Sequence, residues 1–177
     1  MKAGIDESLA FVPVSIAVLT VSDSRTEETD HSGRVLAERA REAGHLVVAK
    51  LILPDDRETI EAQLRAWIAN PGIDVVLITG GTGITGRDVT PEAVLAVIEK
   101  DIPGFGEHFR FISHKSIGLA AIQSRALAGV ANATLLFALP GSTGACRDGW
   151  DEILKWQLDS RYRPCNFVEL LPRLNER

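Results

Sequence analysis

The loop GGTGITGRD at residues 80–88 has the composition of a phosphate-binding turn. Glycine lets backbone N–H groups point at an anion without interference from a Cβ atom. Gly80, Gly81 and Gly83 follow an apolar run directly, and Thr82 adds a hydroxyl group among them. A turn that serves only chain geometry is the alternative, but such a turn seldom needs this many glycines. We therefore predict that this segment, called the glycine loop below, binds phosphate.

Residues 81–86 also match the G-x-G-x-x-G pattern of dinucleotide-binding proteins. That fingerprint requires a helix to open at the third glycine, in the first strand–helix unit of the fold. Here residues 87–90 separate the glycines from the proline that begins the next helix, and the loop follows the third apolar run. The acidic residue expected at the end of a second strand is also absent. These departures disfavour an NAD-type oxidoreductase, which a thermal-shift screen with NAD, ATP–Mg²⁺ and AMP would test.

A second loop, Pro140-Gly141-Ser142, precedes a segment with helical periodicity. The N–H groups and the dipole at a helix N-terminus favour an anion. This Pro-Gly-Ser loop is therefore a second candidate for phosphate binding. The alternative is that Ser142 or Thr143 only caps the helix.

Aspartates lie in or beside these loops. Asp55 and Asp56 follow the second apolar run, Asp88 closes the glycine loop, and Ser22 and Asp23 follow the first run. Each aspartate alone reads equally well as a helix cap or a solvated turn residue. Together, carboxylates around a phosphate would repel it unless a cation lies between them, and Mg²⁺ is the usual cation. The neighbouring Arg87 would either pair with a phosphate or hold Asp88.

Four short apolar runs are predicted to be strands buried on both faces, because they show little polar alternation. Helical patterns separate them, so the order predicts an α/β fold with a mostly parallel sheet and helices on both faces. Ligands bind beyond the carboxyl ends of such strands, where all four loops would meet. The predicted strands are 14–21, 46–53, 74–79 and 134–139; the predicted helices are 33–43, 57–69, 91 to about 100 with Thr90 as N-cap, two short ones within 103–128, and 143–158 with Trp150, Ile153, Leu154 and Leu158 in the core.

Composition limits the function classes. The 177 residues suffice for one domain, and 19 basic against 24 acidic residues give a net charge of −5, which argues against binding nucleic acid or an anionic membrane. The N-terminus lacks the apolar stretch of a signal peptide, and no apolar run approaches the 18 residues of a membrane span. We therefore expect a cytoplasmic protein.

The cysteines and histidines offer no metal site by spacing. Cys146 and Cys165 are expected to be free, small buried residues in a reducing compartment. The four histidines are scattered and read as structural or solvated: His31, His45, His108 and His114.

The string TGGTGITGRDVTPEA at 79–93, followed by LPGS at 139–142, resembles the MoaB/MogA family of molybdenum cofactor biosynthesis proteins. The likeness extends from residue 14 to 167, and the tail RYRPCNF at 161–167 is similar to the MoaB branch in particular. The resemblance implies a three-layer α/β/α sandwich that assembles as a trimer or hexamer. We expect residues 1–177 to form a single domain, with 1–12 as a loose arm and 161–177 as a C-terminal tail.

The resemblance also implies an activity, the Mg-ATP-dependent adenylylation of molybdopterin to adenylyl-molybdopterin and pyrophosphate. It places the functional, Mg²⁺-binding aspartates at Asp55 and Asp88. The implied substrate contacts are Gly80, Gly81, Thr82, Gly83, Arg87, Glu92, Pro140, Gly141 and Ser142, with Ser22 and Asp23 near the same cleft.

A non-catalytic molybdopterin-binding or carrier protein of the same pathway is the alternative, although the retained Arg87-Asp88 pair favours an enzyme. Contact with other molybdenum cofactor enzymes is a further expectation. The attacking phosphate is already an anion at neutral pH and needs no general base, so the residues would act by positioning and charge stabilisation.

Overall fold

The computed structural model describes residues 3–176, and its centre is a six-stranded sheet in the order β3-β2-β4-β7-β6-β5. Strands β3, β2, β4 and β7 run parallel to one another, whereas β6 is antiparallel to β7 and to β5. A two-stranded ribbon of β1 and β8 lies apart from this sheet. The strands are β1 Gly4–Ile5, β2 Ser15–Val21, β3 Leu46–Leu53, β4 Val75–Thr79, β5 Lys100–Asp101, β6 Leu127–Ala131, β7 Thr134–Leu139 and β8 Tyr162–Arg163.

Helices cover both faces of the sheet, as predicted. Successive residues of β2 alternate between the two cores: Ile16 and Val18 pack with α1, α4 and α5, whereas Ala17 and Leu19 pack with α2 and α3. This period of two is the pleat of a strand that is covered on both sides. The fold is therefore an α/β/α sandwich. The helices are α1 His31–Glu42, α2 Arg57–Ile68, α3 Thr90–Leu95, α4 Pro103–Ile117, α5 Thr143–Gly149, α6 Lys155–Gln157 and α7 Phe167–Leu170.

The final helical segment is one structure, because a π-helical turn at Trp150–Leu154 joins α5 to α6. Trp150, Ile153, Leu154 and Leu158 are all buried in the core on the α1 side of the sheet, as predicted.

The four predicted strands are confirmed, but β3 departs from the expected burial. It is an edge strand, so Leu46 and Val48 are 57% and 50% exposed instead of buried. The prediction of two short helices in 103–128 was wrong. The segment contains the single helix α4, a 3₁₀ turn at Gly118–Gln123 and the start of β6.

Thr90 is the first residue of α3 and not its N-cap, and α3 ends at Leu95, short of the predicted position 100. The Thr90 hydroxyl donates to the carbonyl oxygen of Gly80 at 2.8 Å and so ties the helix start to the glycine loop.

Residues 1–12 were expected to be a loose arm, and residues 161–177 a C-terminal tail. Within the described part of the arm, β1 pairs antiparallel with β8, so the beginning and the end of the domain are hydrogen-bonded together.

Both cysteines are free; Cys146 is buried as expected, whereas Cys165 is exposed. Among residues 3–176, each helix is too short or too polar to span a bilayer.

Candidate functional site

The loops that follow β2, β3, β4 and β7 leave the sheet at the same level. Val21 lies opposite Leu53, and Thr79 lies opposite Leu139. The ladder continues one residue further, because Ser22 N donates to Leu53 O at 2.8 Å. The predicted convergence of the four loops at one edge is therefore confirmed, and this edge is called the carboxyl edge below.

Glycines in these loops are required by close backbone packing. Gly80 has φ +106°, and a Cβ atom there would lie 2.1 Å from the carbonyl oxygen of Val21. A Cβ on Gly141 would lie 3.2 Å from Cα of Gly80, so the Pro-Gly-Ser loop rests on the glycine loop. Gly81, with φ +61°, has room for no side chain between Thr90 and a carboxylate oxygen of Asp55. Chain geometry alone thus accounts for Gly80 and Gly81, and phosphate binding would be an additional role.

Asp23 and Asp55 lock the first two loops to each other. The backbone N–H of Asp23 donates to Asp55 Oδ2 at 3.0 Å, and the N–H of Asp55 donates to Asp23 Oδ1 at 3.1 Å. Burial raises the pKa of Asp55, and the charges of Asp23 and Asp88 act in the same direction. Asp56, in contrast, caps α2 by accepting from Thr59 N at 2.8 Å. The cap interpretation is correct for Asp56.

Arg87 pairs with Asp23 and not with Asp88, which corrects one of the two roles expected from the sequence. Its Nε and Nη2 atoms donate to Asp23 Oδ2 at 3.1 and 2.5 Å, across the gap between the glycine loop and the loop after β2. This pairing lowers the pKa of Asp23.

Asp88 is held within its own loop. Its Oδ2 atom accepts from the backbone N–H and the hydroxyl of Thr85 at 2.8 and 2.7 Å. The Thr85 hydroxyl lowers the pKa of Asp88 most strongly, and an N–H from Gly83 contributes too. The carboxylate therefore remains ionised at neutral pH and packs against Gly83, where a Cβ atom would lie 2.7 Å from Oδ2.

Ser142 accepts a hydrogen bond from Ala145 N at 3.0 Å and is the N-cap of α5. The capping alternative is thus correct for Ser142, although its side chain is also exposed at the carboxyl edge. Pro140 is held by the last residue of β4, because its carbonyl oxygen accepts a hydrogen bond from the Thr79 hydroxyl at 3.0 Å. Ser22 accepts from Ser24 N at 3.2 Å within the first loop.

Arg125 belongs to the site and was not predicted from the sequence. It precedes β6, and its guanidinium donates to the carbonyl oxygens of Gly83 and Asp88 and to the carboxylate of Glu92. Glu92, predicted to bind substrate, is thus engaged with Arg125, which lowers its pKa. No motif surrounds Arg125 in the sequence, so only its position in the fold reveals it.

The charges at the site are only partly balanced. Arg87 pairs with Asp23, and Arg125 pairs with Glu92. Asp55 and Asp88 form no salt bridge within the described range 3–176, although Asp88 raises the pKa of Asp55 and therefore lies within its electrostatic reach. This arrangement leaves a local excess of negative charge between the glycine loop and the loop after β3.

A metal ion would find few protein ligands here. Residues 3–176 contain no group of three or more His, Cys, Asp or Glu side chains arranged to hold one. In nucleotide-processing proteins, Mg²⁺ is commonly bound by one or two carboxylates, and water and substrate phosphate fill the remaining positions. Asp55 and Asp88 fit that pattern in donor chemistry and charge.

Comparisons with known proteins agree with one another. A family model described as "Probable molybdopterin binding domain" matches residues 17–160. The chain is 55% identical over 160 residues to molybdenum cofactor biosynthesis protein B of Escherichia coli K12, covering 90% of this chain and 94% of that protein. It is 47% identical over 142 residues to the protein of the same name from Bacillus cereus, covering 80% and 84%.

Solved structures show the same similarity. A crystal structure of molybdenum cofactor biosynthesis protein B superposes with a TM-score of 0.82 at 46% identity, over 85% of this chain and 94% of that one. The tungsten cofactor synthesizing protein MoaB from Pyrococcus furiosus superposes with a TM-score of 0.71 at 36% identity, over 80% and 91%.

Proposed function

Because this chain belongs to the MoaB/MogA family of molybdenum cofactor biosynthesis proteins, we propose that it transfers the adenylyl group of Mg-ATP to molybdopterin. The products would be adenylyl-molybdopterin and pyrophosphate. The observation that carries the proposal is the pair Asp55 and Asp88, two carboxylates without a basic partner in the described residues, beside a glycine loop. Carboxylates beside a phosphate-binding loop are suited to a substrate such as Mg-ATP, whose phosphates carry a bound cation.

The bond changes require no proton transfer from the protein. An oxygen of the terminal phosphate of molybdopterin forms a bond to the α-phosphorus of ATP. The bond from that phosphorus to the oxygen bridging to the β-phosphate breaks, and its electron pair leaves with pyrophosphate. The attacking oxygen is anionic at neutral pH, so a general base is unnecessary. The obstacle is the repulsion between two anions, which the site must overcome by positioning and charge stabilisation.

The chain's own residues would then hold the two substrates in place. Backbone N–H groups of the glycine loop, with Thr82, would bind one phosphate group. The Pro-Gly-Ser loop would bind another, and Ser142 would contribute its exposed hydroxyl. Arg87, which is 67% exposed, is placed to exchange Asp23 for an incoming phosphate.

Asp55 and Asp88 are the residues that would hold Mg²⁺. The donor set fits the ion, since both are carboxylates, the local charge is negative, and Asp88 is ionised. When bound, Mg²⁺ would supply positive charge to the phosphate oxygens on which negative charge accumulates.

A molybdopterin carrier that performs no transfer is the competing proposal. It is favoured by the structural demands at the site, since packing already requires Gly80 and Gly81, and capping already uses Ser142. It is disfavoured by Asp55, a half-buried carboxylate that forms no salt bridge within residues 3–176.

The deciding experiment measures pyrophosphate release from ATP in the presence of molybdopterin, with and without Mg²⁺. We expect release that requires molybdopterin, Mg²⁺ and the intact chain together. Tight molybdopterin binding by calorimetry without any pyrophosphate release would reject the transferase and support the carrier.

We further propose that the protein works in the cytoplasm as a trimer or hexamer and passes its product to other enzymes of the pathway. Large apolar side chains on and after α4 are exposed and suited to an interface: Phe111, Ile117, Leu119 and Ile122. Light scattering should give three or six times the chain mass of 19.2 kDa. A mass of one chain at micromolar concentration would contradict the oligomer.

A further inference from the structure

Arg125 connects a distant segment of the chain to the loop that carries Asp88. Its backbone N–H donates to Thr82 O at 3.0 Å. In its side chain, Nε donates to Gly83 O at 2.6 Å, Nη2 donates to Asp88 O at 2.6 Å, and Nη1 donates to Glu92 Oε1. One residue thus binds the beginning, the end and the helical continuation of the same loop.

These contacts orient the loop because peptide groups are planar and trans. A carbonyl that points at Arg125 turns the N–H group of the following residue to the opposite side. The Thr82 carbonyl, held by Arg125 N, therefore directs the N–H of Gly83 away from Arg125. Gly83 lies directly against the Asp88 carboxylate, because a Cβ atom on Gly83 would be 2.7 Å from Asp88 Oδ2. Arg125 consequently acts on Asp88 through Gly83 as well as through the Asp88 carbonyl.

The ion pair with Glu92 argues against direct phosphate binding by Arg125, because the carboxylate already neutralises the guanidinium charge. The guanidinium is already paired with the Glu92 carboxylate, and its Nε and Nη2 atoms each donate to a carbonyl oxygen. Oε2 of Glu92 is buried without a hydrogen-bond partner among residues 3–176, so Arg125 is the group that compensates this carboxylate. The pair is therefore an internal support and not a substrate contact.

We infer that Arg125 is a positioning residue for the proposed adenylyl transfer, which it serves by fixing the glycine loop so that Asp88 faces the carboxyl edge. The inference rests on the proposed function. It also makes Glu92 part of this support rather than a group that binds substrate. A planar fork with five N–H donors can hold several acceptors in a fixed geometry at once, which a lysine ammonium group cannot do.

The first test compares Arg125→Lys with wild type in pyrophosphate release. Lysine keeps the charge opposite Glu92 but cannot bridge Gly83, Asp88 and Glu92 together. We expect kcat to fall about 10- to 100-fold, the scale of a small misplacement of a reacting group, with KM for ATP within about twofold of wild type. Arg65→Lys is the matched control, because Arg65 also donates to a backbone carbonyl, Ala96 O at 2.9 Å, but far from the site.

A double-mutant cycle tests whether Arg125 acts through Asp88. In an Asp88→Asn background, Arg125→Lys should cause little additional loss of kcat, since residues that act as one unit are not additive. Losses that multiply, or a higher KM with unchanged kcat, would overturn the positioning role.

Hydrogen exchange separates failure of this inference from failure of the proposed function. In the free protein, Arg125→Lys, or Arg125→Gln if the lysine variant does not fold, should exchange faster than wild type in a peptide covering 82–92 and nowhere else. Wild-type exchange there would reject the role of Arg125. Absence of pyrophosphate release by the wild type, with faster loop exchange in the variant, would reject only the adenylyl transfer.

Discussion

Asp55 and Asp88 differ from the other acidic residues at the carboxyl edge, because neither forms a salt bridge within residues 3–176. Asp23 has Arg87 as partner and Glu92 has Arg125, whereas Asp55 is half-buried near the charges of Asp23 and Asp88. Holding such a carboxylate without a counter-charge weakens the fold. Residues that cost stability in this way are frequently functional.

We predict that Asp55→Ala and Asp88→Ala each fold but reduce turnover at least ~100-fold, the scale of losing one preorganised electrostatic partner. The measurement is the rate of pyrophosphate release, with circular dichroism to verify folding. Asp101→Ala is the control, since Asp101 lies exposed in β5, away from the site. Wild-type turnover in both site variants would remove these aspartates from the mechanism.

The pH dependence of stability follows from the raised pKa of Asp55. The folded state binds the Asp55 proton more tightly than the unfolded chain does. The free energy of unfolding therefore falls as the pH rises from the ordinary pKa of 3.8 through the raised pKa of the folded state. Asparagine cannot ionise, yet its side-chain oxygen still accepts from Asp23 N. Asp55→Asn should therefore be more stable than wild type at pH 7, and the difference should shrink below about pH 4.

Urea unfolding of the wild type and Asp55→Asn at both pH values measures this difference. A difference that stays constant with pH, or a variant less stable than the wild type at pH 7, would contradict the assignment of a strained carboxylate at position 55.

At the scale of elements, the contact between β2 and the turn after β4 limits what position 80 tolerates. In Gly80→Ala, the Cβ would meet the carbonyl oxygen of Val21 at 2.1 Å, at a φ of +106°. We expect a loss of at least ~3 kcal/mol in the free energy of unfolding, because the backbone strain alone costs about 1–3 kcal/mol.

Gly144→Ala is the matched control, since nothing lies within 4 Å of the Cβ position at the start of α5. Its stability should remain within about 1 kcal/mol of wild type. Equal stability of the two variants in chemical denaturation would show that the close approach of these loops is not maintained in solution.

The sequence predicts the strands that form long apolar runs, including the partly exposed edge strand β3, and misses the others, including the buried strand β6. Strands β2, β3, β4 and β7 are visible as apolar runs. The antiparallel β6 was missed because the hairpin to β7 turns through Asn132 and Ala133, with φ of 44° and 63°. Such a turn normally has glycine at its second position, and alanine there gives no signal. The short strands β1, β5 and β8 have two residues each, too few for any periodicity.

At the scale of the whole molecule, the order of strands and helices predicts the convergence of the loops, because parallel strands end at the same edge. The sequence does not predict which charges pair across that edge. Arg87 was expected to pair with a phosphate or to hold Asp88, but it reaches Asp23, and Arg125 was not anticipated at all. Such pairings depend on where side chains from separate elements meet, which neither spacing nor composition records.

The strand order also governs how a nascent chain can fold on the ribosome. Strand β4 has β2 as one neighbour, but its other neighbour, β7, begins only at Thr134. Until β7 has been synthesised, an apolar strand edge is open, and the core contacts of α1 with α5 are missing. Release of the growing polypeptide before that point would leave a species that pairs readily with other chains. The sheet therefore cannot be completed until residues 134–139 are available, and the β4 edge stays open to other chains while residues 80–133 are being added.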